Sequence, residues 1–577
     1  MTTRKNSAGR VRIFWAVLAV VVAGLGAASS AGAQDATPLE PPVGPVIELP
    51  KFEVTDSRLL PPPENWRYAA IPGFEVLSNI SERETKRFMQ DFLLLQEAVN
   101  VIMPALRGGG VSVPTSLILA GRGDGFNRFV PADRGDDRYR TNSLFFDDPE
   151  RGAIVVDFAL AELLLEDNTT QESDPYRSFY KEYFRFLIRR MSGQKPPAWF
   201  EEGLVQLFSS IDFTKKWINF AQVGDGFGGE RTGDFNTLLV QRALMSFPEL
   251  FSEQRGQSRS TFWSAQAYAF VHMCLYGRGQ IYQKPFVQFL TRIGNEPPTE
   301  EIFVECFKKD YKKMLLELRG YIGFTDYKSL RYTAKKGQAL PEPPPVTLRP
   351  ANEAEVGRIV GETLRLGGHG EKAHLALIAP YIRGERDPAL LAALGLDERM
   401  AKHDERAQKF LEAAAKGGVV RPRAYLELAR LRLAGGPAGN TGDEKRLEAG
   451  QVAHVLEPLL LAHRQPPPMA EVYELIATVW MRSEKPPTRE DLTVINQGVN
   501  HFSRRPTLLW RAATLNLRHG DPEIAREIVT YALRVLPPSV PRMAFEQLAA
   551  ELPPPSPEAA KAPAAKAPAA KRPGRKS

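Results

Sequence analysis

The sequence predicts a mostly α-helical α+β protein with two folded parts. Between residues 64 and 332, short strand-like runs such as Phe74–Ser78 alternate with amphipathic helical patterns. The proline-rich stretch 333–350 has the composition of a linker. From 351 to 552 the periodicity is helical almost throughout. These observations favour a small α/β subdomain with a helical subdomain, followed by an α-helical repeat-like domain.

Residues 1–33 have the layout of a secretory signal peptide. A basic start precedes an apolar run from Ile13 to about Ala28, and small residues end the segment at Ala33. The apolar run is short for a membrane span, so a permanent anchor is the weaker interpretation. We therefore expect an exported protein, periplasmic or extracellular, with no membrane span after cleavage.

Two further segments have compositions typical of unfolded chain. Residues 34–63 form a linker with eight prolines, and residues 553–577 form a tail of lysine, alanine and proline. We expect the linker to be extended and mobile and the tail to be disordered. Acidic polymers of a cell surface are a candidate partner for the basic tail.

The net charge of +7 does not describe the folded body of the protein. Residues 1–33 carry four cations and no acid, and residues 553–577 carry six cations and one acid, which leaves about −2 for the rest. The sequence also has no cluster of basic and aromatic residues of the kind that binds nucleic acid. We therefore do not expect nucleic acid as a partner.

Capping signals place two helices in the first folded part. Ser81 and Glu84 have the spacing of a capping box, and Asp174-Pro175 begins a second helix that Gly193 ends. Residues 181–185 therefore lie in the middle of the second helix. The strand-like runs are Phe74–Ser78, Thr115–Ala120 and Ala153–Val156.

The second helix contains the segment Lys181-Glu182-Tyr183-Phe184-Arg185, and Pro197-Ala198-Trp199-Phe200-Glu201-Glu202-Gly203-Leu204 follows it. In gluzincin-type zinc peptidases, H-E-x-x-H places two histidine ligands on one helix face with a general-base glutamate between them. A second helix then supplies a glutamate ligand. The two segments resemble this pair as it occurs in the peptidase MA-like family, over roughly residues 65–330.

The resemblance implies a gluzincin-like domain at 64–332 with a defined set of site positions. Lys181, Arg185 and Glu202 stand at the three metal-ligand positions, and Glu182 stands at the general-base position. A zinc ligand must offer a lone pair, which neither an ammonium nor a guanidinium has at neutral pH. We therefore expect these positions to be vestigial, with no zinc, no other cofactor and no catalytic residue.

Other interpretations of the same residues stay open. The segment 181–185 fits an ordinary amphipathic helix with a charged outer face. An active metallopeptidase could hold a metal through the oxygens of Glu182, Glu201 or Glu202, and a structural role in the cell envelope is a further alternative. If the peptidase frame is intact, we expect Lys181 and Arg185 to point towards Glu202 and to replace the charge of the metal.

His272, Cys274 and Cys306 lie in apolar helical patterns. We interpret His272 as a core histidine with satisfied hydrogen bonds rather than as a metal ligand. The two cysteines fit either buried thiols or one disulfide, and the sequence does not decide between them.

The best repeat pattern is Leu509–Pro537, which resembles a tetratricopeptide repeat in its small and apolar positions. Ala477 precedes Ala513 by 36 residues and Gly498 precedes Ala532 by 34, which indicates a preceding repeat. The alternative is an irregular helical domain with one repeat-like hairpin. Stacked repeats offer a surface for proteins or peptides. We therefore expect an exported, catalytically inactive metallopeptidase-like protein that acts as a binding scaffold.

Overall fold

The computed structural model describes residues 47–52, 60–102, 114–121, 125–131, 142–159, 175–192, 196–223, 235–252, 261–294, 297–324, 327, 329–333, 339–435, 446–536 and 540–554. The predicted signal peptide, most of the predicted linker 34–63 and the tail from residue 555 lie outside these residues. Among the residues that the structure describes, none of the helices combines the length and apolar character that a bilayer span requires.

The chain divides into two compact units at Asp397 and Glu398. The first unit contains the strands, which are β1 (Arg67–Ile71), β2 (Phe74–Ser78), β3 (Thr115–Ala120), β4 (Ser143–Asp147), β5 (Gly152–Asp157), β6 (Asp212–Phe213), β7 (Trp217–Phe220), β8 (Leu330–Thr333) and β9 (Arg349–Pro350). The mostly helical α+β class that the sequence predicts is confirmed.

The helices of the first unit are α1 (Glu82–Ile102), α2 (Pro175–Ser192), α3 (Ala198–Ser209), α4 (Phe235–Leu239), α5 (Phe247–Phe251), α6 (Thr261–Tyr276), α7 (Gln283–Ile293), α8 (Glu300–Phe307), α9 (Tyr311–Ile322), α10 (Glu353–Leu366) and α11 (Gly370–Ile382). Helix α12 (Pro388–Met400) crosses the division between the units. The second unit continues with α13 (Asp404–Lys416), α14 (Pro422–Ala434), α15 (Ala449–His463), α16 (Ala470–Arg482), α17 (Arg489–His501), α18 (Pro506–His519), α19 (Pro522–Val535) and α20 (Val540–Glu551).

A six-stranded mixed sheet organises the first unit, with strand order β4-β5-β3-β2-β1-β9. The β2–β3 and β3–β5 pairs are parallel, and the other pairs are antiparallel. Every residue of β3 is buried, as expected for a central parallel strand covered on both faces. A separate three-stranded sheet has the order β6-β7-β8.

The two faces of the large sheet are covered by different helices. Leu117 and Leu119 belong to the core cluster that contains α1, α2, α3 and α6, whereas Ile118 belongs to the cluster that contains α10. Side chains alternate between the two faces of a strand, which explains this division. Ile359 and Val360 of α10 pack on the second face.

Helix α10 is therefore part of the first unit, although the sequence predicts a boundary at 350/351. Strand β9 pairs with β1 at the edge of the sheet, and Arg358 donates from Nη1 and Nη2 to the Glu75 carboxylate at 3.0 and 2.6 Å. The composition of 333–350 indicates a linker, but it does not reveal that the helix after it covers a sheet face. A buried apolar face and a buried ion pair hold α10 in place.

Helices α3 and α6 approach closely at Gly203. A Cβ atom at Gly203 would lie 2.4 Å from Val271 Cγ2 and 2.8 Å from the Ala267 carbonyl oxygen. Such distances are below van der Waals contact, so a larger residue must push the helices apart. Gly203 therefore fixes the position of α3 relative to α6.

We expect Gly203→Ala to lower the free energy of unfolding by about 1–3 kcal/mol, because the added methyl group overpacks the α3–α6 contact. Gly320→Ala is the matched control, since it lies in α9 and an added Cβ would meet no atom within 4 Å. The control should be neutral or stabilising by about 0.5–1 kcal/mol, since alanine favours helices. Urea unfolding of both variants measures the effect, and equal stabilities would contradict this packing.

Candidate functional site

Helix α2 carries an aromatic face and a charged face. Phe92 of α1 lies 4.7 Å from Phe179 and 5.0 Å from Tyr183, measured between ring centroids in edge-to-face geometry. With about 100° per residue, Glu182, Arg185 and Arg189 share another face of α2. The aromatic contacts thus fix the rotation of the helix and place the charged face against α3.

Helix α3 brings two adjacent carboxylates into the interior. Glu201 is fully buried, and Glu202 is 5% exposed. The flanking residues Trp199, Phe200 and Leu204 are also buried, so α3 has an apolar environment on nearly all sides. Buried carboxylates require hydrogen bonds and opposite charge, since burial alone strongly disfavours the ionised form.

Arg185 of α2 hydrogen-bonds to the carboxylates of Glu182, Glu201 and Glu202. We call these four residues, together with Arg189, the arginine–carboxylate cluster. Arg185 Nε donates to Glu182 Oε2 at 3.1 Å, Nη1 donates to Glu201 Oε1 at 2.9 Å, and Nη2 donates to Glu202 Oε2 at 3.1 Å. The guanidinium thus uses its fixed fork of donors to join two helices.

Arg189, one turn further along α2, makes a two-pronged contact with Glu201. Its Nε donates to Glu201 Oε2 at 2.9 Å, and its Nη2 donates to Glu201 Oε1 at 3.0 Å. Glu202 accepts a further hydrogen bond at 2.9 Å from Gln206 Nε2. The cluster continues to β4 through Arg189 Nη1, which lies 3.8 Å from Asp147 Oδ2, and Asp147 Oδ1 also accepts from Arg190 Nη2 at 2.7 Å.

The charges of the cluster explain the pKa shifts of Glu201 and Arg185. Burial raises the pKa of Glu201, but hydrogen bonds and charges from Arg189 and Arg185 outweigh this, and the pKa lies below its ordinary value. Burial lowers the pKa of Arg185, but the carboxylates of Glu202, Glu182 and Glu201 outweigh that and raise it above its ordinary value. Glu201 and Arg185 are therefore ionised at neutral pH.

Lys181 does not join the cluster, contrary to our expectation that it points towards Glu202 together with Arg185. Lys181 is exposed, and it forms no ion pair with any residue of the described ranges. It lies about 80° from Arg189 around the helix axis, at the edge of the charged face. Arg185 meets Glu202 as expected.

The sequence analysis missed Arg189 and Asp147 as members of this site. Arg189 follows Arg185 by four residues, so helical spacing could have indicated that both reach the same neighbour. Asp147 could not have been found this way, because it depends on which strand of the sheet lies beside α2.

The residues at the predicted ligand positions do not fit a zinc ion. Arg185 has no lone pair to offer, and its guanidinium lies among the three carboxylates. Within the described ranges there is no group of three or more His, Cys, Asp or Glu residues arranged to hold a metal ion. The carboxylates of the cluster bind guanidinium groups instead.

His272, Cys274 and Cys306 lie in the core of the first unit. His272 is fully buried, with Nδ1 2.7 Å from the Tyr321 hydroxyl and Nε2 3.0 Å from the Ala221 carbonyl oxygen. The carbonyl can only accept, so Nε2 carries the proton and Nδ1 accepts from Tyr321. The interpretation as a satisfied core histidine is confirmed. Both cysteines are buried free thiols.

The second unit consists of helices that pack on their neighbours along the chain. Helices α14 and α18 each pack on the helix that follows, and the alternate helices α16 and α18 also pack on each other. The alanines that the repeat pattern marks are fully buried, whereas Gly520 is exposed; the alanines are Ala477, Ala512, Ala513, Ala525 and Ala532. Contacts between near neighbours in sequence are typical of repeat architectures.

Comparisons with known proteins give little further information. No protein-family model matches the chain, and no curated protein matches it. A solved structure described as "MamA RS-1 ArsTM double mutant" is 16% identical with a TM-score of 0.25, covering 32% of this chain and 95% of its own. A second solved structure, described as "Functional Characterization of Pseudomonas Aeruginosa pilF", is 13% identical with a TM-score of 0.26, and the match covers 35% of this chain and 88% of that chain. At these TM-scores neither likeness is evidence of a shared fold.

We expect Arg185→Ala to lower the free energy of unfolding by about 3–5 kcal/mol, because it removes the guanidinium that pairs with the buried carboxylates of Glu201 and Glu202. Lys181→Ala is the matched control on the same helix, and it should change stability by less than about 0.5 kcal/mol. Chemical unfolding followed by circular dichroism measures both values. If the two variants unfold alike, the cluster does not hold α2 and α3 together.

The lowered pKa of Glu201 predicts a loss of stability in acid. The contribution of its ionised form is fully present above the ordinary value of 4.5, and it is lost as the pH falls through the lower pKa of the folded protein. The variant Glu201→Gln should therefore show a shallower fall in unfolding free energy between about pH 5 and pH 3 than the parent does. Parallel pH profiles would rule out this role of Glu201.

Proposed function

We propose that this protein is a non-catalytic binding scaffold. In this proposal, the first unit is a gluzincin-like peptidase frame that has replaced its metal site with arginine, and the second unit is a tetratricopeptide-like stack that binds a protein or peptide. The observation that carries the proposal is the position of the Arg185 guanidinium, within hydrogen-bonding distance of Glu182, Glu201 and Glu202.

Hydrolysis by a gluzincin requires a metal-bound water and a carboxylate free to take its proton. In this chain the residue at the general-base position, Glu182, accepts a hydrogen bond from Arg185 Nε at 3.1 Å. Arg185 stays protonated because its pKa is raised, so it neither binds a metal nor releases the carboxylates. In this proposal the position of the metal ligand is held by an arginine that cannot bind a metal, and the glutamate at the general-base position is hydrogen-bonded to that arginine. Hydrolysis by the gluzincin mechanism therefore does not take place at this site.

The packing of the second unit supports a binding role for that part of the chain. Alternate helices lie against each other, and buried alanines at their contacts let the helices approach closely. Such stacks present an extended surface built from the exposed faces of successive helices. In our proposal this surface binds a protein or an extended peptide, and nucleic acid is not the partner.

Export belongs to the same proposal. A signal peptide of residues 1–33 implies a mature protein that begins at Gln34 and lies in the periplasm or outside the cell. N-terminal sequencing of the protein from the exported fraction tests this directly. A chain that keeps Met1 and stays in the cytoplasm would contradict it.

The enzymatic alternative, a peptidase that holds a metal through Glu182, Glu201 or Glu202, makes the opposite prediction about metal content. We expect the purified protein to contain no stoichiometric metal by elemental analysis and to show no chelator-sensitive hydrolysis of casein or a peptide library. One zinc per chain with chelator-sensitive cleavage would overturn the proposal.

The double variant Lys181→His with Arg185→His tests the peptidase frame itself, because it restores H-E-x-x-H with Glu202 on the neighbouring helix. We expect zinc to raise its melting temperature and a chelator to reverse the rise, while the parent does not respond to zinc. The single variant Lys181→His is the control and should not respond either. A double variant that takes up no zinc would show that these helices are not a former metal site.

A further inference from the structure

A cleft of about 340 Å³ lies in the first unit between α10, α11 and the segment Leu60–Glu64. Its size falls within the range of sites for small ligands or short peptide segments, about 300–1,000 Å³. The basic lining residues are Arg128 and Arg383, which pair with Glu64 and Glu353, and Lys372. The apolar lining includes Val356, Val360, Leu364, Leu375, Ala379 and Pro380.

The cleft runs beside a close crossing of α10 and α11. At Gly357 a Cβ atom would lie 2.5 Å from Pro380 Cγ and 2.6 Å from the Ala376 carbonyl oxygen. The two helices are thus in backbone contact at this point. Leu375 is nevertheless 38% exposed, which is high for a large apolar residue in a cleft.

One wall of the cleft is a proline-rich segment of the chain itself, Leu60-Pro61-Pro62-Pro63. The Arg383 guanidinium donates to the Pro61 carbonyl oxygen, and its other terminal nitrogen pairs with Glu353 at 3.1 Å. Proline has no N–H, so the carbonyl groups carry the polar recognition of such a segment and its rings pack on apolar walls. The α10–α11 face therefore has the chemistry that an extended proline-rich segment needs.

The same four residues occur a second time, as Leu552-Pro553-Pro554-Pro555. There the Arg526 guanidinium donates to the Pro553 carbonyl oxygen, and Arg526 Nε pairs with Glu523 at 3.2 Å. In both places an arginine held by a glutamate binds the carbonyl of the first proline. The second sequence differs in that Ser556 and Pro557 follow it, and its next acid is Glu558, three residues after Pro555.

We propose that the α10–α11 cleft binds the segment Leu552–Glu558 from the C-terminal tail of a second copy of this chain. Its prolines would lie on the apolar lining in the extended form they favour, so little conformational freedom is lost on binding. Glu558 is the only charge in this segment, and Lys372 in the lining forms no ion pair with any residue that the structure describes. The site goes beyond the proposed function, since it lies in the first unit and does not involve the helical stack.

A labelled peptide of residues 551–560, ELPPPSPEAA, tests the site on the full chain. The receptor carries Pro553→Ala, Pro554→Ala and Pro555→Ala, so that its own tail does not compete. We expect saturable binding by fluorescence anisotropy that weakens at least about tenfold when Leu375→Asp is added. Leu316→Asp is the matched control, because Leu316 is 66% exposed on α9 and does not line the cleft.

The peptide in which Pro553, Pro554 and Pro555 are changed to alanine should bind at least about tenfold more weakly than the parent peptide. Absence of saturable binding, equal binding by the Leu375→Asp and Leu316→Asp receptors, or equal binding of both peptides would each overturn the site. Both aspartate substitutions fall on exposed positions, and circular dichroism of the receptors confirms that they fold.

Light scattering on the full chain tests the source of the segment. We expect the parent chain to form dimers or larger species at concentrations above the Kd of the peptide, and the variant with the three tail prolines changed to alanine to stay monomeric. A parent chain that stays monomeric while the peptide binds would overturn the second copy as the source. The occupant would then be the tail of the same chain or a proline-rich segment of another protein.

Discussion

The fully buried carboxylate of Glu201 is the constraint on which the first unit depends. A carboxylate in that position is stable only if donors surround it and cations lie next to it. Two guanidiniums from successive turns of α2 meet this need, and Arg185 reaches the neighbouring Glu202 as well. Their two positive charges lie among three carboxylates. The ion pairs therefore tie α2 to α3, and they do so only in one relative position of the helices.

That position is also fixed by contacts that carry no charge. On one side, the aromatic rings of Phe92, Phe179 and Tyr183 set the rotation of α2 against α1. On the other side, Gly203 lets α3 lie against α6. A guanidinium has a rigid plane, so hydrogen bonds to three separate carboxylates require that their positions be defined to a few tenths of an ångström. Tight packing around the cluster supplies this precision, which a loosely packed pair of helices would lack.

The sequence predicted what depends on local pattern and not what depends on distant neighbours. The start of α2 at Pro175 and the buried alanines of the second unit follow from caps and periodicity. The contact of Arg185 with Glu202 was expected only from the resemblance of the two helices to a peptidase frame. The exposure of Lys181 could not be predicted in this way, because the sequence does not show on which side of Lys181 helix α3 lies. The position of α10 could not be predicted for the same reason. Its apolar face could pack on a neighbouring helix of a repeat or on a sheet, and the sequence does not show that β9 pairs with β1 and brings α10 to the sheet.

An arginine that hydrogen-bonds to three carboxylates makes the site rigid. A metal ion in a hydrolase keeps one coordination position open, whereas the donors of Arg185 are directed at protein carboxylates. Replacement of Arg185 and Arg189 by apolar residues would remove the cations that pair with the buried Glu201 and Glu202, and losing one partner of a buried ion pair is strongly destabilising. The two arginines thus compensate the buried acids of α3. We propose that the cluster serves the stability of the first unit, and that the binding surfaces of this protein lie outside it, on the helices that the cluster holds in place and on those of the second unit.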